Sequence, residues 1–274
     1  MSVIIICLIV GILYLILIMP RMKGPDNSVF LGYDYAHRGL HDHKDAPENS
    51  LEAFRRAVSA GYGIELDVQL SRDGIPVVFH DETLKRVCGA DGKIKDYTYE
   101  ELQMFRLCGT QEQIPKLAEV LKLVSGRVPL IIEIKYHWKI ADTCAAADRL
   151  LREYEGLYCI ESFHPMVLIW YKKHRPQILR GQLSTHFFAA NKNSEWYYFL
   201  LQHLLTNVVT KPDFIAYDRR YKDNISRILC KKLYKCLSVA WTTRSQIEMN
   251  ADKGDFDLMI FEDFLPEKSS KPHK

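Results

Sequence analysis

Among its seven cysteines, at 7, 88, 108, 144, 159, 230 and 236, the chain has no Cys-x-x-Cys pair and no histidine at a zinc-ligand spacing. That excludes zinc ribbons, zinc fingers and a thioredoxin-type redox motif. The cysteines read as small buried apolar residues; in an oxidising compartment Cys88 with Cys108 would be the pair to watch, since both fall in one surface insertion. Charge of one sign is lacking too: a net +3 over 274 residues, with Lys and Arg spread along the chain, offers no surface for nucleic acid. Neither internal repeats nor low-complexity segments occur, so a repeat architecture is excluded. The N-terminus has no positive n-region and no small-residue cleavage site, the two marks of a secretory signal.

What is there first is an unbroken apolar stretch from Val3 to Met19, closed by Pro20, Arg21 and Lys23. About 17 residues is the short end of what spans a bilayer core. The expectation is therefore a single-pass membrane anchor over 1–21, with the remainder cytoplasmic because the positive residues follow the apolar run. A polar linker over 22–32, one catalytic domain over 33–266 and a disordered polar tail over 267–274 complete the division. With 47% hydrophobic and 26% charged residues, the body of the chain has the composition of an ordinary globular protein.

Beyond the linker, β-type apolar runs alternate with amphipathic stretches. The runs are 33–37, 63–67, 130–135, 158–163, 178–184, 214–218, 237–242 and 256–262; helix-like segments lie between them at 50–60, 117–124, 140–154, 165–174, 196–205, 224–234 and 245–253. Asn49 or Ser50 caps the first of these helices. Eight strands alternating with helices predict an α/β fold, a (β/α)8 TIM barrel. One run, 76–80, follows the second strand too closely for a helix to intervene. Asp73-Gly74 at its centre is a preferred hairpin pair, so it reads as an antiparallel return. With those two residues as the loop, His80 comes directly opposite Asp67. Residues 81–115 then form an insertion above the same end of the barrel, suited to a lid or a substrate-sorting element.

The residues that carry chemistry gather at strand ends. His37-Arg38 ends the first strand, Glu65-Leu66-Asp67 the second, Glu133-Ile134-Lys135 the third and Ser162 the fourth. Barrel active sites are built at that rim. Period-two spacing sets Glu65 with Asp67 on one face, so that with Glu133 three carboxylates converge. Oxygen donors in that number suit a hard divalent cation, Mg2+ or Ca2+. Arg38 and Lys135 are candidate phosphate contacts. His37 and His80 are candidate general acid and base, in either order. Ion pairing of Glu65 and Asp67 with Arg38 and Lys135 is the structural alternative to metal binding. Trp241 reads as a wall of the substrate pocket, and His164, otherwise without a role, falls near the site.

Taken in order, His37-Arg38-Gly39, Pro47-Glu48-Asn49-Ser50, Ile64-Glu65-Leu66-Asp67-Val68, Val77-Val78-Phe79-His80-Asp81, Glu133-Ile134-Lys135, Ser162-Phe163 and Trp241-Thr242 resemble the glycerophosphodiester phosphodiesterases. The resemblance runs from about residue 33 to 266. It implies a metal-dependent barrel enzyme that hydrolyses a glycerophosphodiester to glycerol 3-phosphate and an alcohol. Carried residue by residue, it implies Glu65, Asp67 and Glu133 as metal ligands, His37 and His80 as acid and base, and Arg38 and Lys135 on the phosphate, with Glu48 and Asn49 bracing the set. The chain departs from the family at Trp241-Thr242-Thr243-Arg244, where Trp-Thr-Val-Asn is frequent, and at Glu262-Asp263, where Thr-Asp is common. An anchored enzyme could instead take a membrane lysolipid as a lysophospholipase D, and outside the cell glycerol-phosphate polymers become a third substrate class. A non-catalytic, membrane-tethered barrel is the alternative from another class.

Overall fold

The computed structural model describes residues 2–42, 44–190 and 195–267. The strands among them are Tyr35–Ala36 (β1), Gly63–Leu70 (β2), Pro76–Val78 (β3), Leu130–Ile134 (β4), Tyr158–Ser162 (β5), Arg180–Ser184 (β6), Phe214–Asp218 (β7), Leu237–Thr243 (β8) and Leu258–Phe261 (β9). All but β3 pair in parallel, and β1 pairs with both β9 and β2, which closes an eight-stranded ring. The expected (β/α)8 barrel is what forms. Its strands bury nearly every residue on both faces, the pattern of a parallel sheet wrapped by helices.

The helices follow their local signals. Ser50, not Asn49, caps Leu51–Ala60 by accepting from Ala53 N at 3.1 Å. Pro165 opens Pro165–His174, and Asn224 and Ser245 cap Ile225–Lys232 and Gln246–Asp252. In each case a side-chain oxygen, or a proline without an N–H, deals with a helix's unpaired first turn. The segment 81–115 is folded into short helical turns around its own apolar cluster of Val77, Phe79, Leu84, Val87, Ile94, Leu102, Leu107 and Ile114. Cys88 and Cys108, both in this segment, are free thiols.

Two expectations need correction. The hairpin register is one residue away from the predicted one: Val78 pairs with Val68 and Val77 with Gln69, and Phe79 N donates to Asp67 O at 2.9 Å. Phe79, not His80, therefore faces Asp67. The cause is the loop, which has three residues rather than two. Ser71 N donates to Ile75 O across Arg72-Asp73-Gly74, with Gly74 at φ 80°, the left-handed position such a loop requires.

The second correction concerns the membrane. The apolar N-terminus forms a helix, Ser2–Ile18, but no helix among the described residues is long and apolar enough to cross a membrane. At 1.5 Å per residue its 17 residues reach roughly 25 Å, short of the ~30 Å hydrocarbon core. Its last turn, moreover, is docked on the barrel: Ile18 is fully buried, Asn207 Nδ2 donates to Ile18 O at 2.9 Å and Tyr234 Oη to Leu15 O at 2.9 Å. The single-pass anchor over 1–21, the membrane partner and the cytoplasmic placement that rested on it are overturned. The polar tail expected over 267–274 lies, from 268 on, outside the described residues.

Candidate active site

The register of β2 against β4 sets Asp67 beside Glu133, and period-two alternation keeps Glu65 on the same inward face. Ligand oxygens of Glu65, Asp67 and Glu133 all lie within 4.8 Å of one another, and the three residues are 1–5% exposed. Such crowding is costly without counter-charge. Lys135, just past β4, answers it with Nζ 3.1 Å from Asp67 Oδ1 and 3.0 Å from Glu133 Oε1. Even so, those two oxygens have no aligned hydrogen-bond donor. Burial and the neighbouring carboxylates push the Glu65 carboxyl well above its ordinary range, and burial raises Glu133 as well. Burial acts upward on Asp67 also, but Lys135, His80 and Arg38 together hold it well below the usual carboxylate range. Buried, under-satisfied acidic oxygens converging from two strands are the donor set a hard divalent cation requires, so the residues present fit that group.

Arg38 reaches the site because the chain turns sharply after β1. It adopts a left-handed backbone (φ 55°), which turns its N–H onto Glu65 Oε2 at 3.0 Å. Gly39 follows at φ 83°, and a Cβ there would stand 2.9 Å from the Ala53 backbone carbon; no other residue fits against the first barrel helix. The Arg38 guanidinium donates to Glu48 Oε1 at 2.8 Å and holds Nε 3.4 Å from Asp67 Oδ2. Asn49, also left-handed (φ 58°), donates its amide to Asp67 Oδ2 at 2.8 Å. Glu48 and Asn49 thus brace Arg38 and Asp67.

Both candidate catalytic histidines lean on a carboxylate through Nδ1. His80 Nδ1 lies 2.6 Å from Asp81 Oδ1, and Arg86 donates from Nε to Asp81 Oδ2 at 2.7 Å while also gripping Glu48. His37 Nδ1 bonds Glu262 Oε2, and its Nε2 points at the acidic cluster, 3.9 Å from Glu65 Oε2. Burial and the Arg38 charge lower the His37 pKa to about 4, against the opposing pull of Glu262. His80 lies beyond the end of β3, so strand alternation does not dictate where its ring points. Gln69 holds that segment, donating to Phe79 O at 2.8 Å and Asp81 O at 2.7 Å.

All ten residues expected at the site are described. His37, Arg38, Asn49 and Lys135 reach the three carboxylates directly, Glu48 reaches them through Arg38, His80 acts on Asp67 through its charge, and Trp241 stands apart. Trp241 stands in an aromatic row, its ring edge-on to Phe163 at 5.5 Å, with Phe163 against Phe187 at 6.0 Å. His164 caps its helix, accepting from Met166 N at 3.2 Å. Sequence reasoning gave no role to Glu262, Gln69 or Glu161. Glu161 pairs in register with Glu133, is 1% exposed and has an unpartnered Oε2. A carboxylate one residue from the strand end, after a run as apolar as Tyr158-Cys159-Ile160, was the available signal for it.

Known proteins resemble this chain in sequence and in fold. The model of the "Glycerophosphoryl diester phosphodiesterase family" matches residues 37–259. A glycerophosphodiester phosphodiesterase of Caldanaerobacter subterraneus is 36% identical over 162 residues, 54% of this chain and 65% of that protein. One from Bacillus altitudinis is 36% identical over 157 residues, 53% and 63%. The matched part therefore spans less than two thirds of these curated relatives. Among solved structures, an Oleispira antarctica phosphodiesterase in complex with the product sn-glycerol-3-phosphate superposes with TM-score 0.69 at 27% identity, over 85% of this chain and 93% of that one. A glycerophosphodiester phosphodiesterase of Thermotoga maritima gives TM-score 0.65 at 27% identity, over 84% and 94%.

Proposed function

The chain belongs to the glycerophosphoryl diester phosphodiesterase family, and from that premise we propose that it hydrolyses glycerophosphodiesters to sn-glycerol 3-phosphate and an alcohol, with residues 33–266 as the catalytic unit. The observation that carries this reading is the meeting of three buried carboxylates with two histidines, each backed by its own carboxylate, and with Arg38 and Lys135. A divalent cation, Mg2+ or Ca2+ by the all-oxygen donor set of Glu65, Asp67 and Glu133, would polarise a phosphoryl oxygen and offset the charge growing on it. Lys135 and Arg38 add fixed positive charge to the same phosphate, in a pocket where low dielectric makes it count. Glu48 and Asn49 keep Arg38 and Asp67 in place, so little reorganisation accompanies the reaction. Of His37 and His80, one takes the proton from the attacking water oxygen while the other gives a proton to the departing alcohol oxygen. The new P–O bond forms as the bond to the alcohol breaks, and one water is consumed. Trp241 with Phe163 lines the side on which that alcohol lies.

The test uses the full chain with glycerophosphocholine and glycerophosphoethanolamine, reading glycerol 3-phosphate with and without EDTA. Release that EDTA abolishes and His37→Ala and His80→Ala each cut by about 10² or more supports the proposal. Turnover indifferent to EDTA and to His37→Ala would overturn it. Conversion of a lysophospholipid without glycerol 3-phosphate release would instead make it a lysophospholipase D, and no turnover of any diester a non-catalytic barrel.

A further inference from the structure

We infer that Glu262, locked by Arg244, is a positioning residue that holds the His37 imidazole in the tautomer with its proton on Nδ1 and its lone pair on Nε2. This rests on the reading of His37 as a catalytic residue. Glu262 directly follows β9, and its N–H donates to Thr243 O at 3.0 Å; on the other side of β9, His37 N donates to Phe261 O at 2.9 Å. Closure of the barrel thus sets Glu262, Arg244 and His37 side by side at one rim. The two carboxylate oxygens are divided between two partners, Oε2 to His37 Nδ1 and Oε1 to the Arg244 guanidinium. His41 Nε2 stands 3.9 Å from Oε2. An ionised carboxylate only accepts, so the proton in this hydrogen bond is carried by Nδ1. Nε2 is then left bare, facing the carboxylate cluster. A second-layer carboxylate that fixes ring orientation and tautomer in this way typically governs one to two decades of activity.

The same chain of groups occurs around the other histidine of the site. His80 Nδ1, Asp81 and Arg86 run imidazole, carboxylate, guanidinium, as do His37, Glu262 and Arg244. In the second set Arg244, just after β8, and Glu262, just after β9, meet in space. Arg244 Nε also stands 3.8 Å from Asp263 Oδ2, but the Glu262 carboxylate, only 11% exposed, has Arg244 as its one guanidinium partner among the described residues. The family match itself ends at residue 259, short of Glu262.

The experiment pairs kinetics with a direct reading of the ring. Long-range 1H–15N spectra of histidine-labelled protein, with His37 assigned by its loss in His37→Ala, report which nitrogen carries the proton. The expected result is Nδ1–H in the native chain and a shift to mixed tautomers in Glu262→Ala. Glu262→Ala should lower kcat on bis-p-nitrophenyl phosphate and glycerophosphocholine about 10- to 100-fold with KM within threefold. Arg244→Met should cost about 3- to 10-fold in kcat, because the carboxylate loses its lock but not its hydrogen bond. A native spectrum with the proton on Nε2 overturns the inference whether or not either variant folds. Unchanged kcat in folded Glu262→Ala, with His37→Ala inactive, overturns it while leaving the phosphodiesterase reading intact. Wild-type turnover in His37→Ala fails that reading first.

Discussion

Lys135→Met is the most direct perturbation of the charge balance at the barrel mouth. The ammonium is 6% exposed and stands 3.0–3.1 Å from two of the three buried carboxylates. Methionine keeps most of its volume, so the loss is one of charge rather than packing. Breaking a buried pair by removing one partner costs about 3–5 kcal/mol. The lower half of that range applies, since Arg38 Nε and Asn49 Nδ2 remain on Asp67 Oδ2. For a chain of this size each kcal/mol lowers Tm by about 2–4 °C, so melting in EDTA should fall by roughly 6–16 °C. Lys135 also occupies the oxygens a cation would use. In its absence the carboxylates should bind a divalent cation at lower concentration, and Mg2+ or Ca2+ at about 100 times Kd would return some 2.7 kcal/mol. The variant is thus expected to be less stable, readier to bind metal and, lacking a phosphate contact, catalytically poor. Differential scanning fluorimetry across a metal titration, in EDTA-stripped protein, reads the first two together. A Tm in EDTA within 2 °C of native, or a cation midpoint moved to higher concentration, would refute the claim that Lys135 balances this cluster.

Other outcomes follow from the same geometry. Burial acts to raise the Glu48 pKa, but Arg86 and Arg38 outweigh it and lower the group to about 2. Because the folded value lies below the unfolded one, this stabilisation is fully present above about pH 4.5 and is lost as pH falls toward 2. Denaturation between pH 5 and 2.5 should show Glu48→Gln converging on native at the acid end, from a deficit of about 1–3 kcal/mol at pH 5; a constant gap would contradict the assignment. Gly39→Ala should cost about 1–3 kcal/mol in urea unfolding and lower activity further, since the left-handed turn and the 2.9 Å approach to Ala53 both resist a methyl; a neutral effect would mean the turn relaxes freely. Ser50→Ala should lose about 1 kcal/mol of stability with kcat unaltered, as expected of a helix cap that touches no reacting group; a fall in kcat at unchanged stability would tie the cap to the site.

Much of this protein could be read from order along the chain. Strand and helix signals are local, with periods of two and of 3.6 residues, so the alternation that makes a barrel was visible from residue 33 onward. Glu65 and Asp67 share a face by alternation alone, and Ser50, Pro165, Asn224 and Ser245 open helices by their own chemistry. The length and apolarity of the N-terminal run were equally plain. Whether that run stays with the barrel was not, because the answer lies in the carbonyls of Leu15 and Ile18 meeting Tyr234 and Asn207 from more than 180 residues away. The hairpin around Asp73-Gly74 was legible as a hairpin, but its register turned on a hydrogen bond between Ser71 and Ile75 that a two-residue loop would lack. Glu262 was given no role from sequence, since nothing near it along the chain calls for a carboxylate. His37 and Glu262 stand 225 positions apart, and only closure of the ring, β9 against β1, makes them neighbours. Local periodicity determined which elements form and which way they face; the partners of each charge were decided by the closed barrel, where burial leaves no group to water.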